Sequence, residues 1–132
     1  MEKAEAAKAI IRKDKKVLLV RRASYAKRWP GLWDFTGGRL EPGETPEVAV
    51  AREVKEETHL DISAGPEVIS VNYKDKAHNL IFHYFNPGHF SGEMQLSREH
   101  SEYGWFDEDE IENLDTHPAV KEFYKASKKS IK

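Results

Sequence analysis

Glu53, Glu56 and Glu57 fall within five residues of one another, in a segment whose apolar spacing is helical. At about 100° per residue they occupy one arc of such a helix. Val50, Val54 and Ala51 form the adjoining apolar arc, with small Ala49 among the carboxylates and Arg52 further round. Three like charges this close destabilise a helix by a few tenths of a kcal/mol per pair. A divalent cation removes that repulsion, and carboxylate oxygens suit hard Mg²⁺ or Mn²⁺. An ordinary solvated acidic face has the same composition, so the residues around the glutamates decide between the two.

Their spacing is specific. Gly38 is followed after five residues by Glu44, and after seven more by Arg52-Glu53-Val54-Lys55-Glu56-Glu57-Thr58-His59-Leu60. This stretch resembles the signature box of the Nudix hydrolases: Gly, five residues, Glu, seven residues, then Arg-Glu-aliphatic-any-Glu-Glu-any-Gly-aliphatic. Eight of its nine defined positions are matched, a coincidence of probability on the order of one in 10⁵ for this composition. The departure is His59 in place of the glycine, where a left-handed residue ends the helix; histidine tolerates that conformation better than most side chains. Thr36, where relatives often carry proline before the double glycine, is a second departure.

The resemblance implies metal-dependent hydrolysis of a nucleoside diphosphate linked to another group, with water attacking phosphorus. It implies Mg²⁺, replaceable by Mn²⁺, held by Glu53, Glu56, Glu57 and the main-chain carbonyl of Gly37. Arg52 would orient the carboxylates and Glu44 would support the loop. Glu53 is the first choice of general base and Glu99 the second, with Glu102 the other carboxylate of its segment. Phosphoryl transfer asks mainly for positioning and charge neutralisation, which this residue set supplies.

The elements that must position these groups are legible from local signals. The spacing predicts a strand over 4–11, a turn at 13–16 and a strand over 17–20, together a hairpin. Asp34–Thr36 reads as a short strand entering Gly37-Gly38, and Pro42-Gly43 marks a turn. Thr45 is a fitting N-cap with Pro46 in the first helical position, and the helix runs to Thr58. Strands are expected over 68–73, 80–85 and 104–106, and helices over 108–114 and 118–128, the latter burying Val120, Phe123 and Tyr124. Strands on both sides of a central helix give an α/β (α+β) domain. The family resemblance sharpens this to an α/β/α sandwich with a mixed sheet between helices, one domain over 1–132 with the box at 38–60.

Composition narrows the rest. The absence of cysteine excludes disulfides, thiolate zinc sites and a cysteine nucleophile. No apolar run reaches the roughly 20 residues of a membrane span, and the first nine residues are too polar for a signal peptide, so a cytoplasmic location is expected. Residues 1–30 carry 10 Lys and Arg against 3 Asp and Glu, whereas 93–115 carry 1 against 9. An acidic centre beside basic groups suits an anionic, metal-bound substrate. No basic stretch interleaved with aromatic rings supports nucleic-acid binding. A monomer or homodimer acting on a nucleotide is expected.

For substrate contacts, Arg21 and Arg22 are candidates for phosphate, Gly38 for close approach to the substrate, and Trp33 or Phe35, with Trp29 nearby, for stacking a base. The run Leu32–Phe35 into the double glycine looks most like small MutT-like enzymes, which release a nucleoside monophosphate and pyrophosphate. ADP-ribose or dinucleoside polyphosphate cleavage, and a non-catalytic nucleotide-binding module, are the alternatives. The segment Asp115–Pro118 does not reproduce the asparagine that MutT-like enzymes use on oxidised guanine.

Overall fold

The computed structural model describes residues 3–130. The strands are β1 (Ala4–Ala9), β2 (Arg12–Lys13), β3 (Lys16–Arg22), β4 (Trp33–Arg39), β5 (Asp61–Ile62), β6 (Glu67–Lys74), β7 (Asn79–Phe85), β8 (Phe90–Ser91) and β9 (His100–Phe106). The helices are α1 (Pro46–Thr58), α2 (Glu108–Glu112) and α3 (Pro118–Ser130). A mixed sheet runs β2-β3-β4-β1-β7-β6, with β9 on the other side of β3. Only the β1–β7 pair in it is parallel.

Side chains of β1 alternate between two cores, which places that strand inside the sheet. Ala6 and Ile10 join Leu19, Phe35, Phe82 and Tyr84 beneath Val120 and Phe123 of α3. Ala7 and Ala9 join Leu18 and Phe85 beneath Ala49, Val50 and Val54 of α1. The sheet therefore lies between helices, as the sequence predicted.

Some elements differ from expectation. The hairpin is β2–β3, closed by Asp14 and Lys15, both at positive φ (52° and 71°), the geometry of a two-residue turn. The expected partner strand, β1, pairs with β4 and β7 instead, because a strand apolar on both faces needs neighbours on both sides. β4 continues through the double glycine to Arg39. β9 begins four residues before the expected strand, at His100, paired along β3. The small β5–β8 ladder was not foreseen, since two residues carry no periodicity. On α1 the buried arc extends toward the acidic side: Ala49 and Glu57 are buried, while Ala51 is only partly so.

Candidate active site

The loop before α1 and the helix itself are locked by local signals. Thr45 caps the helix, accepting the Val48 N–H at 3.4 Å. Glu44 accepts the Glu41 N–H at 2.8 Å, closing the turn made by Pro42-Gly43. Arg52, two turns into the helix, reaches back to the same loop. Its Nε and Nη2 hold Glu44 in a fork at 2.6 and 2.8 Å. Nη1 contacts Glu53 at 2.9 Å and Glu56 at 3.2 Å, and Nη2 also donates to the Arg39 carbonyl at 3.1 Å. A guanidinium has five N–H donors in a rigid plane, and every one of them is engaged. Arg52's hydrogen bonds, with the Glu41 N–H, pull the Glu44 carboxyl down to about 2, and Glu44 in turn holds Arg52 more firmly charged than usual.

Glu53 and Glu57 face the double glycine. Glu57 is 6% exposed, and its Oε1 accepts the Gly37 N–H at 3.0 Å. Burial pushes its carboxyl well above the usual carboxylate range, against the pull of the Lys8 charge and the Gly37 bond. Half-buried Glu53 is raised for the same reason, against its contact with Arg52. Gly37 cannot carry a side chain without a backbone shift, and a side chain at Gly38 would displace the Glu53 carboxylate. A Cβ on Gly38 would lie 2.6 Å from Glu53 Oε2, and one on Gly37, at φ 126°, would lie 2.1 Å from the Ala7 carbonyl oxygen.

These residues fit a divalent cation by their chemistry. Two carboxylates are drawn out of water with too little countercharge, and hard oxygen donors are what Mg²⁺ takes. They do not form a finished cage: among the described residues no three Asp, Glu or His side chains converge on one point. Glu56 is the outlier, mostly exposed and turned to Arg52. At Gly37 the group that meets Glu57 is the amide N–H rather than the carbonyl.

The carboxylates open onto a cleft of about 290 Å³ that is also lined by Lys8, Trp29, Phe82 and His117. Arg22, Arg28 and Arg39 rim it. An adjoining lobe of about 310 Å³ is bordered by Tyr25, Lys27 and His100, and Arg22, Glu57 and Glu99 line both. A further depression of about 360 Å³ between α2 and α3 lies apart from Glu53 and Glu57.

The predicted contacts divide accordingly. Arg22, Gly38 and Glu99 line the cleft. Arg21 does not: it bonds Glu102 at 2.8 Å and the Gly31 carbonyl at 2.9 Å, over the face of Trp33. That contact also occupies Glu102. Trp33 packs edge-on to Phe106 outside the cleft, and Phe35 is buried in the core against Tyr84 and Phe123. Neither ring is placed to stack a base. Of the three candidate rings the one in the cleft is Trp29, 4.2 Å from His78 in a stack and edge-on to His117 at 4.3 Å. Sequence reasoning also missed Lys8 and His117; a lysine in the apolar run Ala6–Ile11 was the signal available.

His59 ends α1 as expected, at φ 64° and ψ 8°, its N–H donating to the Lys55 carbonyl at 3.0 Å. Its Nδ1 lies 2.9 Å from the Gln95 carbonyl, which ties the following loop to the helix end. Replacing His59 by Gly removes the left-handed strain and that tie together. The expected net change is within ~1 kcal/mol by thermal denaturation. Turnover should be unchanged, since His59 lines neither lobe of the cleft; a large loss of activity in a folded variant would contradict this placement.

The NUDIX domain family matches residues 2–127. The CTP pyrophosphohydrolase of Escherichia coli K12 is 31% identical over 119 residues, covering 90% of this chain and 87% of that protein. The ADP-ribose pyrophosphatase of Methanocaldococcus jannaschii is 34% identical over 113 residues, covering 84% and 66%. Among solved structures, the MutT protein of Methanosarcina mazei Go1 superimposes with a TM-score of 0.86 at 32% identity, covering 98% of this chain and 96% of that one.

Proposed function

Because the chain belongs to the Nudix family and is a pyrophosphohydrolase of nucleoside diphosphate derivatives, we propose that it cleaves a nucleoside triphosphate to the monophosphate and pyrophosphate. The observation that carries this reading is the shared border of the two lobes. Arg22, Glu57 and Glu99 line both, so an anhydride spanning the border would sit between the acidic pair and the arginine. The lobe with Lys8, Trp29, Phe82 and His117 has rings and donors for a nucleoside. The lobe with Arg22 and Lys27 has cationic groups for a departing pyrophosphate.

In this reading Arg22 and Arg39 hold phosphate oxygens while Gly38 lets the backbone of β4 approach them. Glu53, with Glu99 as the alternative, takes the proton of the attacking water. The new P–O bond forms as the bridging P–O bond breaks, and the proton passes to solvent. Half-burial raises Glu53 toward working pH, as suits a general base. Glu53 and Glu57, with Glu56 swinging from Arg52, would hold Mg²⁺, or Mn²⁺ in its place, and the ion would neutralise charge on the phosphate oxygens. Arg52 and Glu44 act at one remove by fixing Glu53. No helix among the described residues is long and apolar enough to cross a membrane; a cytoplasmic monomer or homodimer belongs to the same proposal.

The test is a screen with Mg²⁺ over nucleoside triphosphates, ADP-ribose, dinucleoside polyphosphates and NADH, with products identified. A triphosphate yielding pyrophosphate should lead. If ADP-ribose or a dinucleoside polyphosphate exceeds every triphosphate tenfold in kcat/KM, about 1.4 kcal/mol of transition-state preference, the substrate assignment is wrong.

A further inference from the structure

Lys8 is a buried cation in a strand otherwise occupied on that face by Ala4, Ala6 and Ile10. It pairs in register with Gly37 on the β1–β4 ladder, lines the cleft together with Trp29, Phe82 and His117, and is only 4% exposed. Its Nζ donates to Asp34 Oδ2 at 2.8 Å, and both partners are buried. A buried ion pair of this kind gives little net stability over a well-packed apolar pair, so packing alone does not account for it.

The pair is also incomplete. Asp34 Oδ1 is buried with no hydrogen-bond partner among the described residues. The nearest candidate, His117 Nδ1, is 3.8 Å away and accepts the Ala119 N–H at 2.9 Å, capping α3. A nitrogen that accepts that bond carries no proton, so the neutral imidazole holds its hydrogen on Nε2. Among the described residues the Lys8 ammonium makes one hydrogen bond, which leaves two N–H groups. The cleft wall that also carries Trp29 and Phe82 is thus supplied with donors, from Lys8 and from His117, while the carboxylate that holds Lys8, Asp34, is buried behind the lining.

Resting on the triphosphatase reading above, we propose that Lys8, held by Asp34 and seconded by His117, reads the nucleobase and selects rings that carry a carbonyl. Guanine, cytosine, uracil and thymine present a keto oxygen to such donors. Adenine offers only ring nitrogens as acceptors, and beside N1 or N7 its amino group would meet N–H with N–H. A site built around buried donors rejects a ligand lacking the matching acceptor far more strongly than an apolar slot does.

The experiment compares kcat/KM for GTP, CTP, UTP and ATP with wild type and with Lys8→Met/Asp34→Asn, which removes both charges together. Wild type should favour at least one keto nucleotide over ATP by tenfold or more, and the double variant should bring that ratio within threefold. Equal use of ATP by wild type, or an unchanged ratio in the variant, overturns the proposal. A loss equal for all four nucleotides also overturns it, since it would put Lys8 on phosphate. Calorimetric binding of GMP, CMP, UMP and AMP to wild type in EDTA gives a second readout independent of turnover and of the variant's folding. A tenfold preference for a keto monophosphate supports base reading even if no triphosphate is hydrolysed, whereas AMP binding as tightly as the others overturns it.

Discussion

Glu57→Gln lowers turnover by at least ~10²-fold, comparable to removing one strong electrostatic stabiliser from an active site, and at the same time raises the Tm of the metal-free protein. The two effects have one cause. Glu57 is buried, and among the described residues its carboxylate has one hydrogen bond, from the Gly37 N–H. Glutamine keeps that acceptor and removes the charge. In the native state the Glu57 carboxyl lies well above its ordinary value, with burial as the largest cause. Its stabilising contribution is therefore complete below the unfolded value near 4.5 and is lost as pH rises through the raised native value. The stability of the metal-free wild type relative to the variant should therefore fall as pH rises above about 4.5. A rise of about 4 °C at pH 8 is the shift that about 1 kcal/mol produces in a chain of this size. Glu44 and Asp34, whose carboxyls are lowered, act in the opposite sense below about pH 4.5, and His100 and His117, which burial lowers to about 4, do so between about pH 6.5 and 4. All four titrate alike in wild type and variant, so the difference between the two proteins isolates Glu57. With Mg²⁺ the order reverses, because an ion that binds the native state stabilises it by mass action and the variant binds it more weakly. EDTA should abolish wild-type activity and Mg²⁺ or Mn²⁺ restore it. Near-normal turnover in a folded Glu57→Gln protein would remove Glu57 from the chemistry.

How far the site was legible follows from the range of each signal. Thr45, Pro46 and the carboxylate spacing are local, and the helix they mark begins and ends where the sequence placed it. The sheet-between-helices architecture was likewise accessible, through the family resemblance. Parity errors arose where two neighbouring residues competed for one role. Arg21 and Arg22 point to opposite faces of β3, so one pairs with Glu102 and the other lines the cleft. Trp33 and Phe35 share a face of β4, and that face is core at Phe35; the cleft ring comes instead from the loop at Trp29. The acid trio failed in part because helix geometry gives directions but not competition: Arg52 sits four residues before Glu56 and draws it aside. Least legible was the cluster of Lys8, Asp34 and His117. Its members come from β1, β4 and the start of α3, brought together by the β1–β4 ladder and by the Trp33 backbone pairing with Asp115 and His117. No local pattern encodes a contact between residues 8, 34 and 117.

Arg52→Ala should lower kcat by about 10- to 100-fold, the usual range when a group that orients a metal ligand is lost, with KM little changed. Arg52 lines neither lobe, so it contributes no contact to substrate. Its effect passes through Glu53, which it holds at 2.9 Å, and through the Glu44 fork that fixes the guanidinium itself. Lysine cannot substitute, because an ammonium presents three donors from one point and cannot form the fork while also reaching Glu53, Glu56 and the Arg39 carbonyl. Arg52→Lys should therefore recover little of the lost rate. Glu44→Gln should be partly defective alone and add less than its own effect to Arg52→Ala, since the two share one contact. Glu56→Gln separates orientation from charge. If Glu56 joins the metal, Mg²⁺ affinity falls; if it only faces Arg52 at the surface, neither affinity nor kcat moves. Titrating Mg²⁺ against kcat for the four variants distinguishes these outcomes, and an Arg52→Lys enzyme running at the wild-type rate would show that the guanidinium plane is not what positions Glu53.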